Sequence, residues 1–515
     1  MPEGLLSGQR LARNVVLNLA GQGLPVAVAI FAIPVLLRQL GIDRFGVMTL
    51  VWMVIGYLSL FDLGTGRALT KFVAQKYGTG DEQDIPALVW TSLAMMLGFG
   101  LVGTVGVLAF SPWLVRQVLN VPPGLHSETL ASFHVLALSI PVVITTTGLR
   151  GVLEARQRFG FINAVSVVNG IFSFAAPLVV VAFSRNLLPI VAVLAVARLV
   201  VLVIHFYVCL HEVPSLSHRV AVQPRVAIPL LRFGGWITVS NVLSPIMVYA
   251  DRLLVAALVS IAAVAYYVTP YSLVTKLLLV PTAIAGVLFP AFAATFSRDR
   301  SRTSLLFSRG VKSTLIAVFP LTLLVVALAH PGLSLWLGAD FAAHGARVLQ
   351  ILAIGVFINS IAHVPFALVQ GAGRADLAAK LHLAELPVYL AAVWLMTRAY
   401  GIEGTALAWS IRAAVDAILL FWLARRVLPQ DRAAMQRLER PVALAGGVQV
   451  AAMAPRGLVA DIVFAGLVIL VFGWLSWMVL LDPEERTWLR SVFRTLFRRK
   501  DAEGQPGQRR DVQAP

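Results

Sequence analysis

Apolar runs long enough to cross a bilayer recur along the chain in two series: one occupies residues 14–210 and a second, of matching spacing, occupies 233–425. A hydrocarbon core about 30 Å thick needs about 20 apolar residues per helical crossing. Backbone groups in lipid have no water to bond, so a spanning segment must be a helix unless a closed barrel forms. The period-two alternation of a membrane barrel is absent. With 58% hydrophobic and 13% charged residues over 515, the chain exceeds what a soluble core uses and reads as an all-α integral membrane protein.

The pattern predicts fourteen crossings, at 15–37, 46–68, 86–110, 129–149, 161–183, 187–209, 231–250, 264–293, 310–330, 346–369, 378–398, 402–424, 441–455 and 459–481. The thirteenth is short and Gly-rich and ends at Pro455, so a helix lying in the membrane interface is its alternative. Charge supports the count. With the amino terminus in the cytoplasm, 31 of the 42 Lys and Arg fall inside, 8 outside and 3 within helices, which places both termini inside and requires an even number of crossings.

Comparing the chain with itself at an offset of about 219 aligns 40–47 with 259–266 and brings Pro25 near Pro245; 153–158 meets 369–374 at 216. Shared order and spacing argue for two pseudo-symmetric six-helix lobes, 1–215 and 216–430, followed by a helix pair, 431–482, and a basic tail, 483–515. An even number of helices per lobe sets the pseudo-axis along the membrane normal and makes the cleft between lobes the natural substrate site. In the tail, Leu489, Val492, Phe493, Leu496 and Phe497 share one helical face while Arg486, Arg490, Arg494 and Arg498 recur every fourth residue, the pattern of a surface-lying amphipathic helix. The net charge of +17 is spread over many short loops, so topology and anionic lipid explain it and nucleic acid is not an expected partner. Cys209 stands alone, which excludes an intramolecular disulfide, and the first apolar run is expected to be an uncleaved helix.

The segment RFGVMTLVWMVIGYLSLFDLGTGRALTKFVA (44–74), with YADR (249–252), LVQGAGR (368–374) and YGIEGTALAW (400–409), resembles Wzx-type polysaccharide and oligosaccharide flippases over about residues 10–430. Their superfamily also holds multidrug and toxin extruders and peptidoglycan lipid flippases. The resemblance implies two six-helix lobes working by alternating access and a central cavity whose cations face a lipid pyrophosphate. It also implies a carboxy-terminal helix pair that accommodates a lipid tail. Its expected setting is the bacterial cytoplasmic (inner) membrane, in lipopolysaccharide or exopolysaccharide biosynthesis. Expected partners are a lipid-linked glycan, membrane lipids, and a polysaccharide polymerase with its chain-length machinery.

Ionisable side chains within the bilayer cost several kcal/mol unless paired or wet, so each is a candidate. Lys276 lies mid-span in the eighth crossing, opposite Tyr57 in the repeat, and suits a phosphate as a point charge; the alternatives are snorkelling or a distant acid such as Asp62. Arg198 and Arg412 hold equivalent places in the sixth helix of each lobe, and Asp416, one turn beyond Arg412, makes that pair structural or coupling. Asp62 and Arg67 flank GlyThrGly in the second crossing, and Glu385 lies in the eleventh. Asp251 and Arg252 close the seventh at the outer rim, as a cap or as ligands. Tyr57, Trp52, Asn241, Tyr249, Tyr266, Tyr267 and Tyr271 line the same helices, where aromatic faces suit sugar rings or anchor helices at the interface.

No GxxxxGK[ST] loop is present, and no catalytic residues, metal or cofactor are expected. Three readings follow: a flippase for polyprenyl-pyrophosphate-linked oligosaccharide, a MATE-like ion-coupled drug or cation extruder, and a membrane enzyme or scaffold. The short external gaps are nearly free of carboxylates and fit the last poorly, and an extruder wants more intramembrane acids than the chain has.

Overall fold

A computed structural model describes residues 8–57, 65–218, 220–296, 298–428, 432–454 and 457–481, with 483 and 486–487. Every long element among them is a helix, and none is a strand. In chain order these are α1 (Gly8–Leu40), α2 (Ile42–Tyr57), α3 (Thr65–Thr79), α4 (Ile85–Trp113), α5 (His126–Ala155), α6 (Phe159–Val181), α7 (Leu187–Glu212), α8 (Ser215–His218), α9 (Pro224–Leu258), α10 (Ile261–Val274), α11 (Leu279–Thr295), α12 (Arg300–Ala327), α13 (Ala329–Leu337), α14 (Ala339–Gly371), α15 (Ala375–Val427), α16 (Arg432–Ala452) and α17 (Leu458–Leu475). Nine helical stretches among the described residues are long and apolar enough to cross a membrane. One of these, Ala375–Val427, holds the eleventh and twelfth expected crossings, separated where Gly401 takes φ 59° and ψ −141°. Only glycine enters that region without strain. Helix also occupies the first, second, seventh and thirteenth positions. Residues 58–64 of the second crossing and nearly all of the amphipathic tail lie outside the described residues.

The chain forms two compact units, one of Met1–Leu273, His330–Leu352 and Lys380–Arg412, the other of Val274–Ala329, Ala353–Ala379 and Ala413–Pro515. The expected lobe boundary at 215/216 falls within the first unit.

In the first unit α4, α5 and α7 pack around Met96, Ile140, Ile144, Leu149 and Val152, all buried. Small residues allow the approach: a Cβ on Gly100 would come within 2.5 Å of Pro141, and one on Gly148 within 2.5 Å of the Met96 sulfur. Proline sets the polar contacts. Pro141 has no N–H for the carbonyl of Ala137 one turn earlier, and Thr104 Oγ1 on α4 donates to that carbonyl at 2.8 Å. Pro177 likewise frees the carbonyl of Ser173 on α6, which takes the Trp52 indole N–H from α2 at 3.3 Å. Glu128, nearly buried, gathers three elements: it accepts Arg44 Nε and Nη2 from α2, each at 3.1 Å, and the backbone N–H of Leu187 at 2.6 Å, where its charge complements the amino end of α7. At the opposite end Lys76 clamps the α3–α4 connection through Asp84 at 2.6 Å and Asp81 at 3.5 Å. The Thr79 hydroxyl and Lys76 hold the Asp81 carboxyl below the usual carboxylate range.

In the second unit Thr303 on α12 donates to Thr295 on α11 at 2.8 Å, and Phe319 packs on Phe357 and, at 4.4 Å between ring centres, on Phe472 of α17. Gln449 on α16 is fully buried and donates to the Thr322 hydroxyl of α12 at 3.0 Å. The expected thirteenth crossing, α16, is thus docked by a buried polar bond, and the Arg425–Glu439 ion pair ties it to the end of α15.

Thr104→Val strands a buried acceptor and should cost about 1–3 kcal/mol in thermal or denaturant unfolding of the detergent-solubilised protein. In a Pro141→Ala background, which returns an N–H to the Ala137 carbonyl, that loss should shrink by at least half.

Candidate functional site

The end of α9 presents Tyr249, Asp251 and Arg252 to α10 and to the first half of α15, all within the first unit. Asp251 is fully buried; it accepts the Tyr267 hydroxyl at 2.6 Å and the backbone N–H of Arg252 at 2.7 Å. The Arg252 guanidinium lies over the rings of Tyr249, at 4.4 Å, and Tyr271, at 4.9 Å. Tyr267 and Tyr271, one turn apart on α10, face this cluster together, and Tyr271 meets the edge of Trp409 on α15 at 5.7 Å. Arg412 lies over Tyr389 at 5.4 Å and stands 3.9 Å from the nearly buried Glu385. Two acids and two arginines therefore share one aromatic cluster with no net formal charge. Asp251 and Arg252 are buried, which favours the structural of the two roles the sequence allows them, a cap or a ligand pair. Removal of either charge would leave its opposite buried among rings.

The spacing of four matches Arg412 with Asp416 along one helix; Asp416 is buried, and Arg412 also has Glu385 beside it. Tyr389 and Trp409 were not singled out from the sequence, although the i,i+4 spacing of Glu385 and Tyr389 was a visible signal for a shared face.

Lys276, Arg198 and Arg67 are differently placed. Lys276 occupies a 3₁₀ turn, Thr275–Leu278, between α10 and α11, and it is exposed. Pro281 lies just beyond, and such a tightened turn inside a helical crossing is a common hinge. Arg67 is exposed in the first turn of α3. Arg198 is half-buried and lies at helical spacing from the buried Leu194 and His205 on the packed face of α7. Among the described residues none of these three cations has an ion-pair or hydrogen-bond partner. Cations in this state have donors to offer an anion. Asp62 lies outside the described residues, as do the side chains of Tyr57 and Asn241.

The second unit holds an apolar cavity of about 820 Å³ between α12, α16 and α17, lined by Phe319, Leu444, Leu467, Val471, Phe472 and Val479, with Arg440 at its wall. Among the described residues no group of three or more His, Cys, Asp or Glu side chains is placed to hold a metal ion.

The fold is that of the helical transporters solved as the lipid II flippase MurJ, in an inward closed conformation, and as a multidrug resistance MATE family transporter of the MOP superfamily, in an inward-facing one. The first is 12% identical with a TM-score of 0.69, covering 91% of this chain and 100% of that one; the second is 14% identical with a TM-score of 0.66, covering 82% and 99%. The polysaccharide biosynthesis protein family matches residues 35–345, and the chain belongs to it. A Shigella flexneri protein that bears the name of an O-antigen transporter is 31% identical over 421 residues, 81% of this chain and 98% of its own length. The lipopolysaccharide biosynthesis protein WzxC of Escherichia coli is 22% identical over 403 residues, 77% of each chain.

Asp251→Ala should cost about 3–5 kcal/mol, since it strands the Tyr267 hydroxyl and the Arg252 N–H and removes a buried negative charge that faces Arg252, and Tyr267→Phe about 1–3 kcal/mol. Thermal unfolding checks both, and the full-length yield in membranes should fall in the same order.

Proposed function

We propose that the protein flips polyprenyl-pyrophosphate-linked oligosaccharide across the bacterial cytoplasmic membrane for cell-surface polysaccharide assembly, with both termini in the cytoplasm. The observation that carries this reading is Lys276: an exposed ammonium with no ion-pair or hydrogen-bond partner among the described residues, in a 3₁₀ interruption of a membrane helix, in a chain of the polysaccharide biosynthesis family. Two six-helix lobes, 1–215 and 216–430, would alternate access, with Lys276 taking the pyrophosphate; Arg67 and Arg198 are further candidate contacts for it. The cavity between α16 and α17 suits the polyprenyl chain, because its wall is mostly apolar, with Arg440 as its one charged lining residue. A polymerase and chain-length machinery would take the product outside, so the chain itself needs no catalytic group.

Ion-coupled drug extrusion has less support. Asp62, Glu385 and Asp416 are the acids that could carry a coupling ion: Asp62 lies outside the described residues, Glu385 stands beside Arg412, and Asp416 is buried.

In proteoliposomes carrying an undecaprenyl-pyrophosphoryl glycan, Lys276→Ala should slow translocation at least about 10-fold, the loss of one charge-assisted contact. Unchanged translocation would overturn the assignment of Lys276, and drug resistance on overexpression without any effect on surface glycan would overturn the substrate. Leu467→Trp, which fills the apolar cavity, should slow long-chain polyprenyl substrates more than short-chain analogues in the same assay.

A further inference from the structure

Three contacts in the first unit join residues of one sequence repeat to residues of the other, toward the helix ends that lie opposite the cation-rich connections. Trp336, on α13, donates its indole N–H to the carbonyl of Ile30 on α1 at 2.6 Å. That carbonyl is available because its helical partner would be the N–H of residue 34, which is proline. Asn120, in the connection after α4, bonds to the break between α9 and α10 three times. Its N–H donates to Ala256 at 3.0 Å, its side-chain amide donates to Ala257 at 2.8 Å, and its carbonyl accepts the N–H of Ile261 at 3.3 Å. A helix end leaves its last carbonyls unsatisfied and the next helix begins with free N–H groups; Asn120 serves both. Gly46, on α2, comes so close to Ile261 that a Cβ there would collide with the Ile261 carbonyl.

These bonds differ from the Thr104–Ala137 and Trp52–Ser173 bonds in what they connect. The latter join helices of a single repeat, and no rocking of one repeat against the other would break them. Trp336 and Asn120 bind across the repeats, and every bond they make is neutral and directed at the backbone. A neutral hydrogen bond exchanged for water is worth only about 5-fold in an equilibrium, so a few of them hold a state without trapping it.

We propose that Trp336 with the Pro34-freed carbonyl of Ile30, Asn120 with the α9–α10 break, and the close approach at Gly46 form a latch that keeps the outer end closed and whose release opens the protein outward. This rests on the alternating-access reading above. Pro34 is part of the device: it withholds the N–H that would otherwise compete with Trp336 for the Ile30 carbonyl.

The test places spin labels at two exposed outer positions of the full-length protein, Arg116→Cys and Arg347→Cys, on a Cys209→Ser background in lipid nanodiscs. The distance distribution between the labels is the readout. Trp336→Phe should raise the ratio of long to short distances about 5-fold, the worth of one such bond. Gly46→Ala should act in the same direction while removing no hydrogen bond. Pro34→Ala should match Trp336→Phe, and the double variant should add nothing to either. Distances unchanged in all three single variants would overturn the latch, as would additive effects of Pro34→Ala and Trp336→Phe. If the distances shift as expected while no variant, nor the parent protein, moves a polyprenyl-pyrophosphoryl glycan in proteoliposomes, the latch stands and the transport reading falls.

Discussion

A carbonyl inside a membrane protein has no water to fall back on, and each proline inside a helix deprives one carbonyl of its partner. The first unit answers this with donors from elsewhere: Thr104 to Ala137 for Pro141, Trp52 to Ser173 for Pro177, and Trp336 to Ile30 for Pro34. Ser111 performs the same service locally, donating to Leu108, whose partner is removed by Pro112. Prolines that would weaken an isolated helix here dictate which helices must lie side by side and in what register. The glycines at 100 and 148 then permit the approach that these bonds require.

The charges divide along a similar line. Asp251, Arg252, Glu385 and Arg412 are enclosed with tyrosine and tryptophan rings, and their formal charges cancel. Such a cluster is weak evidence of stability gained, but loss of one member is costly, so it acts as a fixed internal frame. Lys276, Arg67 and Arg198 have no such enclosure among the described residues. On the proposed reading the frame carries the geometry and the open cations carry the cargo.

Much of this was legible in the chain. Apolar length is a one-dimensional property, so the long apolar helices among the described residues fall at expected crossings, including the division near Gly401. Asp251, Arg252 and Lys276 stood out because charge in an apolar run is conspicuous. What escaped depends on rotation about a helix axis and on contacts between distant segments. Spacing matches Arg412 with Asp416, but only the fold shows that a neighbouring segment also brings Glu385 to it. Tyr389 and Trp409 looked like ordinary apolar residues. Pro34 was in plain view, but only the fold reveals that the carbonyl it frees is taken by an indole three hundred residues away.

The separation of charged from neutral contacts has a consequence for how such a transporter could avoid interfering with itself. A pyrophosphate carries several strong acceptors and competes for any arginine or lysine it can reach. An outer closure built of salt bridges would be exposed to that competition whenever cargo was present, and its strength would vary with ionic strength. Trp336 and Asn120 bind backbone groups through neutral donors and acceptors, to which an anion's charge is largely indifferent. The cargo can then influence the closure only through the helices that hold the cations, and α10 is well placed for this. Its first residue, Ile261, is bonded to Asn120, and its last leads into the 3₁₀ turn that carries Lys276. On the proposed reading, a change in that turn on capture of an anion would be transmitted along four turns of helix to the latch without any charge having to move between them.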